Sequence, residues 1–128
     1  MGRYEKPGFW CSLNQARRGL SHTLRTQGHM KFHVVAGSSV LCIAGLLGVS
    51  TFEWLILILA IGCVIGTEVI NTAIEVVVDM VQPNFDFLAG RAKDVASGAV
   101  LVAVIQAVAI GLIVFLPRVI SFVSEMFS

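Results

Sequence analysis

Three carboxylates and one carboxamide follow a single seam of a long apolar segment, in the stretch GTEVINTAIEVVVDM at residues 66–80. They are Glu68, Asn71, Glu75 and Asp79. At about 100° per residue, these side chains fall within roughly 80° of one another on a helix. Ionisable residues inside an apolar span are costly and usually serve a function. The seam could supply a general base, ligands for a divalent cation, or a path for ions.

The composition of the chain is typical of a membrane protein. Of its 128 residues, 56% are hydrophobic and only 13% are charged, against about a quarter charged in soluble domains. The length fits a single domain, 1–128, built from about three membrane spans. Three short helices enclose little interior, so we expect the chain to oligomerise. The polar N-terminal region lacks the apolar core of a signal peptide, and we expect none to be removed.

Hydrophobic periodicity predicts an all-α integral membrane protein. Apolar and basic residues alternate at helical spacing over residues 8–28, which predicts an amphipathic helix at the membrane surface. Three apolar segments are long enough to cross a bilayer. The predicted transmembrane helices are 32–49, 52–81 and 92–116. Gly62 and Gly66 form a GxxxG pair, which indicates close helix packing.

Turn residues and prolines set the expected helix ends. Ser50 and Thr51 make a tight turn between the first two spans, and Pro83 ends the second. Pro117 is expected to end the third span in the same way. Residues 117–128 would then form a short amphipathic tail at the membrane surface.

The basic residues predict how the chain is oriented. Six of the nine Lys and Arg residues precede the first span, and two more, Arg91 and Lys93, flank the connection between the second and third spans. The turn at 50–53 carries none. The positive-inside rule therefore predicts that the N-terminus and the connection at 82–92 face the cytoplasm.

This orientation places the polar seam at the cytoplasmic boundary. Counting from Phe52 at the outer face, Glu68 lies roughly 24 Å and Glu75 roughly 35 Å along the helix. The hydrocarbon core is about 30 Å thick, so Glu68 falls just inside the boundary and Glu75 among the headgroups. Lys93 and Asp94 lie on the same side. Carboxylates can hold a divalent cation, and a lysine can pair with phosphate oxygens.

Two functional classes fit these residues. One is an integral-membrane phosphotransferase that brings a metal–nucleotide from the cytosol to a lipid hydroxyl. The other is a small cation or proton carrier whose path is lined by Glu68, Asn71 and Glu75. Residues 36–64 contain Glu53 as their only charged residue, at the outer turn itself, so the polar site is one-sided and favours the enzyme. A purely structural membrane subunit would leave the seam unexplained, and nothing indicates a nucleic-acid partner.

The order of these residues resembles a known family. The pattern E-x-x-N-T-A-I-E-x-x-x-D, followed by A-K-D, is similar to the small prokaryotic diacylglycerol kinases and the related undecaprenol kinases; here it spans residues 68–79 and 92–94. The surface helix, the order of the spans and the small-residue run at 95–100 extend the resemblance over nearly the whole chain. It implies an ATP- and magnesium-dependent lipid kinase of the bacterial plasma membrane. It also implies a homotrimer with active sites at subunit interfaces, near the cytoplasmic surface.

The resemblance implies three residues on the lipid side of the reaction. Glu68 would be the general base that takes the proton from the lipid hydroxyl. Asn71 would support that base, and Ser97 would face the lipid substrate. The resemblance favours diacylglycerol as substrate, giving phosphatidic acid. Undecaprenol is the alternative, because the stretch HMKFH at 29–33 is more similar to that branch of the family.

The resemblance implies a second group on the nucleotide side. Glu75 would bind magnesium with the ATP phosphates, Lys93 would contact the terminal phosphate, and Asp94 would help orient the nucleotide. The connection that would lie against the nucleotide contains Asn84, Phe85 and Asp86. Many family members place a second metal-binding glutamate at the end of the surface helix. Gln27 stands there in this chain, so that ligand carries no charge.

Overall fold

The computed structural model describes residues 8–127, and every element in that range is a helix. The helices are α1 Phe9–Thr26, α2 Gly28–Leu47, α3 Thr51–Val81 and α4 Phe87–Met126. The last three are long and apolar enough to cross a membrane. These helices confirm the predicted fold class, an amphipathic N-terminal helix followed by three long apolar helices. Residues 1–7 and 128 of the predicted domain lie outside the described residues.

Helix α1 matches the predicted surface helix to within two residues. Its apolar side chains are uncovered; Phe9 and Trp10 are 74% and 78% exposed. Thr23 is the one buried residue of the helix. At Gln27 the backbone becomes extended, with φ −100° and ψ 115°, and α2 begins one residue later. This single-residue break places Gln27 at the corner between the two helices.

The turn between α2 and α3 follows directly from its sequence. Gly48 takes the left-handed conformation, with φ 62°, and its N–H closes α2 on the carbonyl of Ala44. Glycine adopts this conformation without steric cost. Ser50 then caps α3: its hydroxyl accepts from the N–H of Glu53, and the Glu53 carboxylate accepts from the N–H of Ser50. Both unpaired N–H groups are satisfied by this capping box.

Helix α4 is longer at both ends than the predicted span 92–116. It starts at Phe87 because the Asp86 carboxylate accepts hydrogen bonds from Leu88 and Ala89 N–H, both at 2.9 Å, and so caps the helix. It also continues through Pro117 to Met126. The prediction that Pro117 ends the helix, leaving a separate tail at 117–128, is wrong for the described residues.

Pro117 lies inside α4 without ending it. Proline has no N–H to donate to the carbonyl four residues earlier, here that of Ile113, which weakens the helix locally. Two side chains nearby bond to other carbonyls of the helix: Arg118 Nη1 donates to Val114 at 2.6 Å, and Ser121 Oγ donates to Pro117 at 3.0 Å. Neither bond replaces the one that Pro117 cannot make, so the helix tolerates this local loss.

The helices pack mainly through α3, which contacts each of the others. A small cluster of buried apolar residues joins α2, the turn and α4 to it. Its members are Ala44, Val49, Leu57 and Val114. Gly37 lies where α2 approaches α3, since a Cβ on it would come within 2.9 Å of Ile61 Cγ2. Most large apolar side chains remain exposed, as expected of helices that face lipid or other subunits.

Candidate active site

A polar cavity of about 350 Å³ opens beside the seam of α3. Its walls come from three places: the α1–α2 corner with the start of α2, the C-terminal half of α3, and α4. The lining residues are Gln27, His29, His33, Glu68, Asn71, Glu75, Ser97, Val100, Leu101 and Val104. The structure therefore brings together five of the predicted site residues from these three places.

A chain of hydrogen bonds crosses this cavity and centres on Glu75. Asn71 Nδ2 donates to Glu75 Oε1 at 2.9 Å, one turn away on α3. Gln27 Nε2 donates to Glu75 Oε2 at 3.2 Å from the α1–α2 corner. Ser97 Oγ, on α4, lies 3.5 Å from Asn71 Oδ1, at the long limit of a hydrogen bond. Both oxygens of the Glu75 carboxylate are thus held by amides.

Glu68 lies deeper in the same cavity. The residue is 3% exposed, and Thr72 Oγ1 donates to its backbone carbonyl at 2.9 Å. Among residues 8–127, no side chain or N–H group donates to its carboxylate. Because no fully enclosed side-chain oxygen or nitrogen of the described residues lacks a partner, these carboxylate oxygens are open to the cavity. An acceptor without a partner that faces a cavity is suited to take a hydrogen bond, and then a proton, from a bound hydroxyl group.

A second group of predicted residues lies further along the seam. Lys93 Nζ on α4 forms an ion pair with Asp79 on α3. Asp79 follows Glu75 by one helical turn, so Lys93 lies about 6 Å along the helix from that carboxylate. A groove of about 250 Å³ runs beside this ion pair; its lining includes Asn84, Phe85 and Asp86.

The residues of this groove are not equally available to a ligand. Phe85 is 99% exposed, so its ring is open to stacking. The Asp86 carboxylate, in contrast, is occupied as the cap of α4. Asp94 is exposed and lines neither the groove nor the polar cavity. Within this single chain, the structure does not join Asp94 to the other predicted residues.

The donor set around Glu75 fits a magnesium ion that is held mostly by a nucleotide. Within residues 8–127, no three His, Cys, Asp or Glu residues are grouped as a complete metal site. Magnesium, however, is usually held by one or two carboxylates together with substrate phosphates and water. Glu75 supplies one carboxylate, and the carboxamide oxygens of Gln27 and Asn71 are neutral oxygen ligands beside it.

Three residues at the site were missed as site residues by the sequence analysis. His29 and His33 line the polar cavity, although the sequence analysis used the stretch HMKFH only to compare branches of the family. Asp79 pairs with Lys93, a contact that could be predicted only if the antiparallel packing of α3 and α4 were known. The one signal in the sequence was that Asp79 shares the seam of Glu68 and Glu75.

Comparison with known proteins decides the family. Residues 14–115 match the sequence model described as prokaryotic diacylglycerol kinase, which covers most of the chain. This chain belongs to the prokaryotic diacylglycerol kinase family. It is therefore a membrane lipid kinase, which transfers a phosphoryl group from ATP to an alcohol group. Because the chain belongs to a kinase family, we set aside the alternatives of a cation or proton carrier and of a structural membrane subunit.

Relatives within the family carry two different names. An undecaprenol kinase of Bacillus subtilis is 40% identical over 116 residues, which covers 91% of this chain and 94% of that protein. A diacylglycerol kinase of Synechocystis is 37% identical over 116 residues, covering 90% of this chain and 66% of that protein. A diacylglycerol kinase of Escherichia coli is 44% identical, but over 66 residues, about half of each chain. Both names thus occur among relatives of similar identity.

Proposed function

We propose that this kinase phosphorylates diacylglycerol to phosphatidic acid in a magnesium-dependent reaction, with Glu68 as the general base. The observation that carries this proposal is the Glu68 carboxylate, which has no hydrogen-bond donor among the described residues and faces a cavity shared with Asn71 and Glu75. Phosphoryl transfer needs positioned charges and a group that accepts the hydroxyl proton. Glu68 accepts that proton, and Ser97, on the opposite wall, contacts the lipid near its hydroxyl.

The seam of α3 separates the lipid side from the nucleotide side. Glu68 and Glu75 are seven residues apart, about 10 Å along the helix. Glu75 and Gln27 hold the magnesium ion with the ATP phosphates, and that ion supplies charge neutralisation when it is bound. Asn71 lies between the two and fixes Glu75 through its hydrogen bond. Two carboxylates on one helix face can thus serve two different roles.

Lys93 supplies positive charge at the nucleotide end. When ATP binds, the Lys93 ammonium group leaves the Asp79 carboxylate and pairs with the terminal phosphate, because a phosphate carries more negative charge than one carboxylate. The exposed ring of Phe85 lies against the nucleotide, with Asn84 and Asp86 beside it. Asp94 helps to orient the nucleotide end. Its exposure on one chain fits a role toward a neighbouring subunit.

We also propose a homotrimer in the bacterial plasma membrane, with the N-terminus in the cytoplasm. Gly62 and Gly66 support a subunit interface on α3, because a Cβ placed on either would meet no described atom within 4 Å apart from its chain neighbours and the backbone of its own helix. Small residues on an open helix face allow close approach of another helix. The excess of Lys and Arg before α2 supports the orientation.

Undecaprenol is the second candidate substrate. The relative named undecaprenol kinase matches nearly its whole length to this chain. Both lipids present a primary hydroxyl at the membrane boundary, so Glu68 can act on either.

A direct assay separates the two substrates. Purified protein in mixed micelles receives magnesium–ATP with labelled γ-phosphate and either diacylglycerol or undecaprenol. Labelled phosphatidic acid is the expected product. Transfer to undecaprenol alone would show that undecaprenol is the substrate, and the assignment of Glu68 as the base would be unaffected. Transfer to neither lipid would refute the proposed reaction.

A further inference from the structure

Arg118 on α4 and Glu53 on α3 form a two-pronged ion pair far from the active site. Arg118 Nη1 lies 2.8 Å from Glu53 Oε1, and Nη2 lies 2.7 Å from Oε2. Both side chains are partly buried, at 29% and 23% exposure. Paired N–H···O bonds of this kind are directional as well as strong. Neither residue lines the polar cavity or the nucleotide groove.

Both partners are held in place by their own helices. The Glu53 carboxylate also accepts from the N–H of Ser50 at 2.7 Å, in the capping box of α3. Arg118 Nη1 also donates to the Val114 carbonyl, beside Pro117. Side chains that are already ordered lose less rotamer entropy when they pair. The contact is therefore well suited to fix one geometry between α3 and α4.

The Glu53–Arg118 and Asp79–Lys93 ion pairs are separated by nearly the same length along α3 and along α4. Along α3, Glu53 and Asp79 are 26 residues apart; along α4, Arg118 and Lys93 are 25 residues apart. At 1.5 Å per residue these lengths are about 39 and 38 Å. Two antiparallel helices of matched length thus carry an ion pair at each end. The Asn71–Ser97 contact lies between the two ion pairs along both helices.

The rest of the α3–α4 contact specifies this register only weakly. The buried residues of the two helices include several small aliphatic ones, namely Ala60, Val64, Ala96, Val100 and Ala103. Within a bilayer no hydrophobic force favours one alignment of such faces over another. A slip of one residue would move a side chain by about 1.5 Å and rotate it by about 100°. Such a slip would separate Lys93 and Ser97 from the seam of α3.

We propose that Arg118 and Glu53 are positioning residues that hold α3 and α4 in register during turnover. The inference rests on the proposed function, in which Lys93 leaves Asp79 for a phosphate and Ser97 turns to the lipid. The polar contacts at the cytoplasmic end are then exchanged for substrate. The opposite end keeps the alignment, because its ion pair takes no part in the reaction. Fixing the register of helices is the best-attested use of partly buried polar pairs.

Kinetics of charge-removing variants test the proposal. Glu53→Gln removes the charge but keeps the capping box, since glutamine serves at that position; Arg118→Gln removes the other partner. At a temperature well below unfolding, we expect kcat per folded protein to fall about 10- to 100-fold, because small misplacements cost that much. The KM for ATP should change less than kcat. Arg118→Lys keeps the charge but cannot form the two-pronged contact, so it should recover only part of the loss.

Ser50→Ala is the matched control, because it removes the cap of α3 and leaves both charges in place. We expect a lower unfolding temperature with the kcat of the wild-type protein. If Glu53→Gln and Arg118→Gln also lower only the unfolding temperature and keep kcat, the pair is merely structural and the proposal is overturned.

Disulfide cross-linking measures the alignment of α3 against α4 without an activity assay. Cys11, Cys42 and Cys63 are first replaced by alanine, and a cysteine at Val64 is paired in turn with one at 103, 104 or 107 of α4. When Glu53 and Arg118 are intact, one of the three α4 cysteines should form most of the cross-link with the cysteine at Val64. In the Glu53→Gln variant, cross-links should form with several of the α4 cysteines. An unchanged pattern would overturn the proposal. Because this readout needs no substrate, it stands even if the proposed lipid reaction fails.

Discussion

Gln27 donates a hydrogen bond from Nε2 to Oε2 of Glu75 across 3.2 Å, and so joins the α1–α2 corner to the seam of α3. An amide is a good partner for a single carboxylate, but it adds no charge for a cation. The Glu75 carboxylate is therefore held by the amides of Gln27 and Asn71, and Gln27 adds no second negative charge beside it.

Gln27→Glu should tighten the dependence on magnesium. Two adjacent carboxylates repel each other until a cation bridges them, so the magnesium concentration for half-maximal activity should fall about tenfold. Magnesium should also raise the unfolding temperature of this variant more than that of the wild-type protein. Thr26→Glu, which adds the same charge one residue away on an exposed side chain, is the control. Identical magnesium titrations for Gln27→Glu and the wild-type protein would argue against a ligand at this position.

Asn71→Ala should reduce turnover without removing either carboxylate. The substitution takes away the donor to Glu75 Oε1 and the contact with Ser97. Loss of one positioned donor at a reacting centre typically costs about 100-fold in kcat. Ser97→Ala loses the weak contact at 3.5 Å and one contact with the lipid, so at saturating lipid it should reduce kcat much less. Steady-state kinetics of both variants, at saturating lipid and ATP, measure this order; the reverse order would contradict the role given to Asn71.

Lys93→Met should weaken the use of ATP more than the use of lipid. The long apolar side chain keeps most of the packing but cannot pair with a phosphate. We expect kcat/KM for ATP to fall by about 100-fold. Arg91→Met is the control, since Arg91 lies two residues away and stacks on the Phe87 ring at 4.7 Å. Equal effects of the two substitutions on ATP would indicate general surface charge rather than a specific contact.

Gly37→Ala should destabilise the contact between α2 and α3. The added Cβ would lie 2.9 Å from Ile61 Cγ2, a branch close to the backbone that cannot swing away. Overpacking of this kind costs about 1–3 kcal/mol. Gly45→Ala, on the same helix, meets its nearest side chain at 3.9 Å and should be tolerated. Thermal unfolding in detergent compares the two, and equal stability would show that α2 moves freely against α3.

Hydrophobic periodicity predicted the helical fold because long apolar segments leave few alternatives in a bilayer. Helix α3 begins one residue from the predicted position, since Ser50 and Pro83 mark its limits in the sequence. Helix α4 was predicted too short at its C-terminal end because Pro117 was expected to stop it, whereas the helix continues through this residue to Met126.

The seam of Glu68, Asn71 and Glu75 could be predicted because all three lie on one helix with a known period. The contacts between different helices could not be predicted in this way. The pairing of Lys93 with Asp79 and the position of His33 in the cavity depend on how α2, α3 and α4 are aligned. Asp94 was grouped with Lys93 by adjacency in the sequence, but successive residues on a helix point about 100° apart.

The central claim is that Glu68 takes the proton from the lipid hydroxyl, and Glu68→Gln tests it most directly. The purified variant is assayed for transfer of labelled γ-phosphate to lipid in mixed micelles, beside the wild-type protein. Glu125→Gln, the same substitution at an exposed acid, is the control. We predict that Glu68→Gln abolishes turnover while its helical content and oligomeric state stay those of the wild-type protein. Wild-type-like phosphorylation by Glu68→Gln would contradict the account.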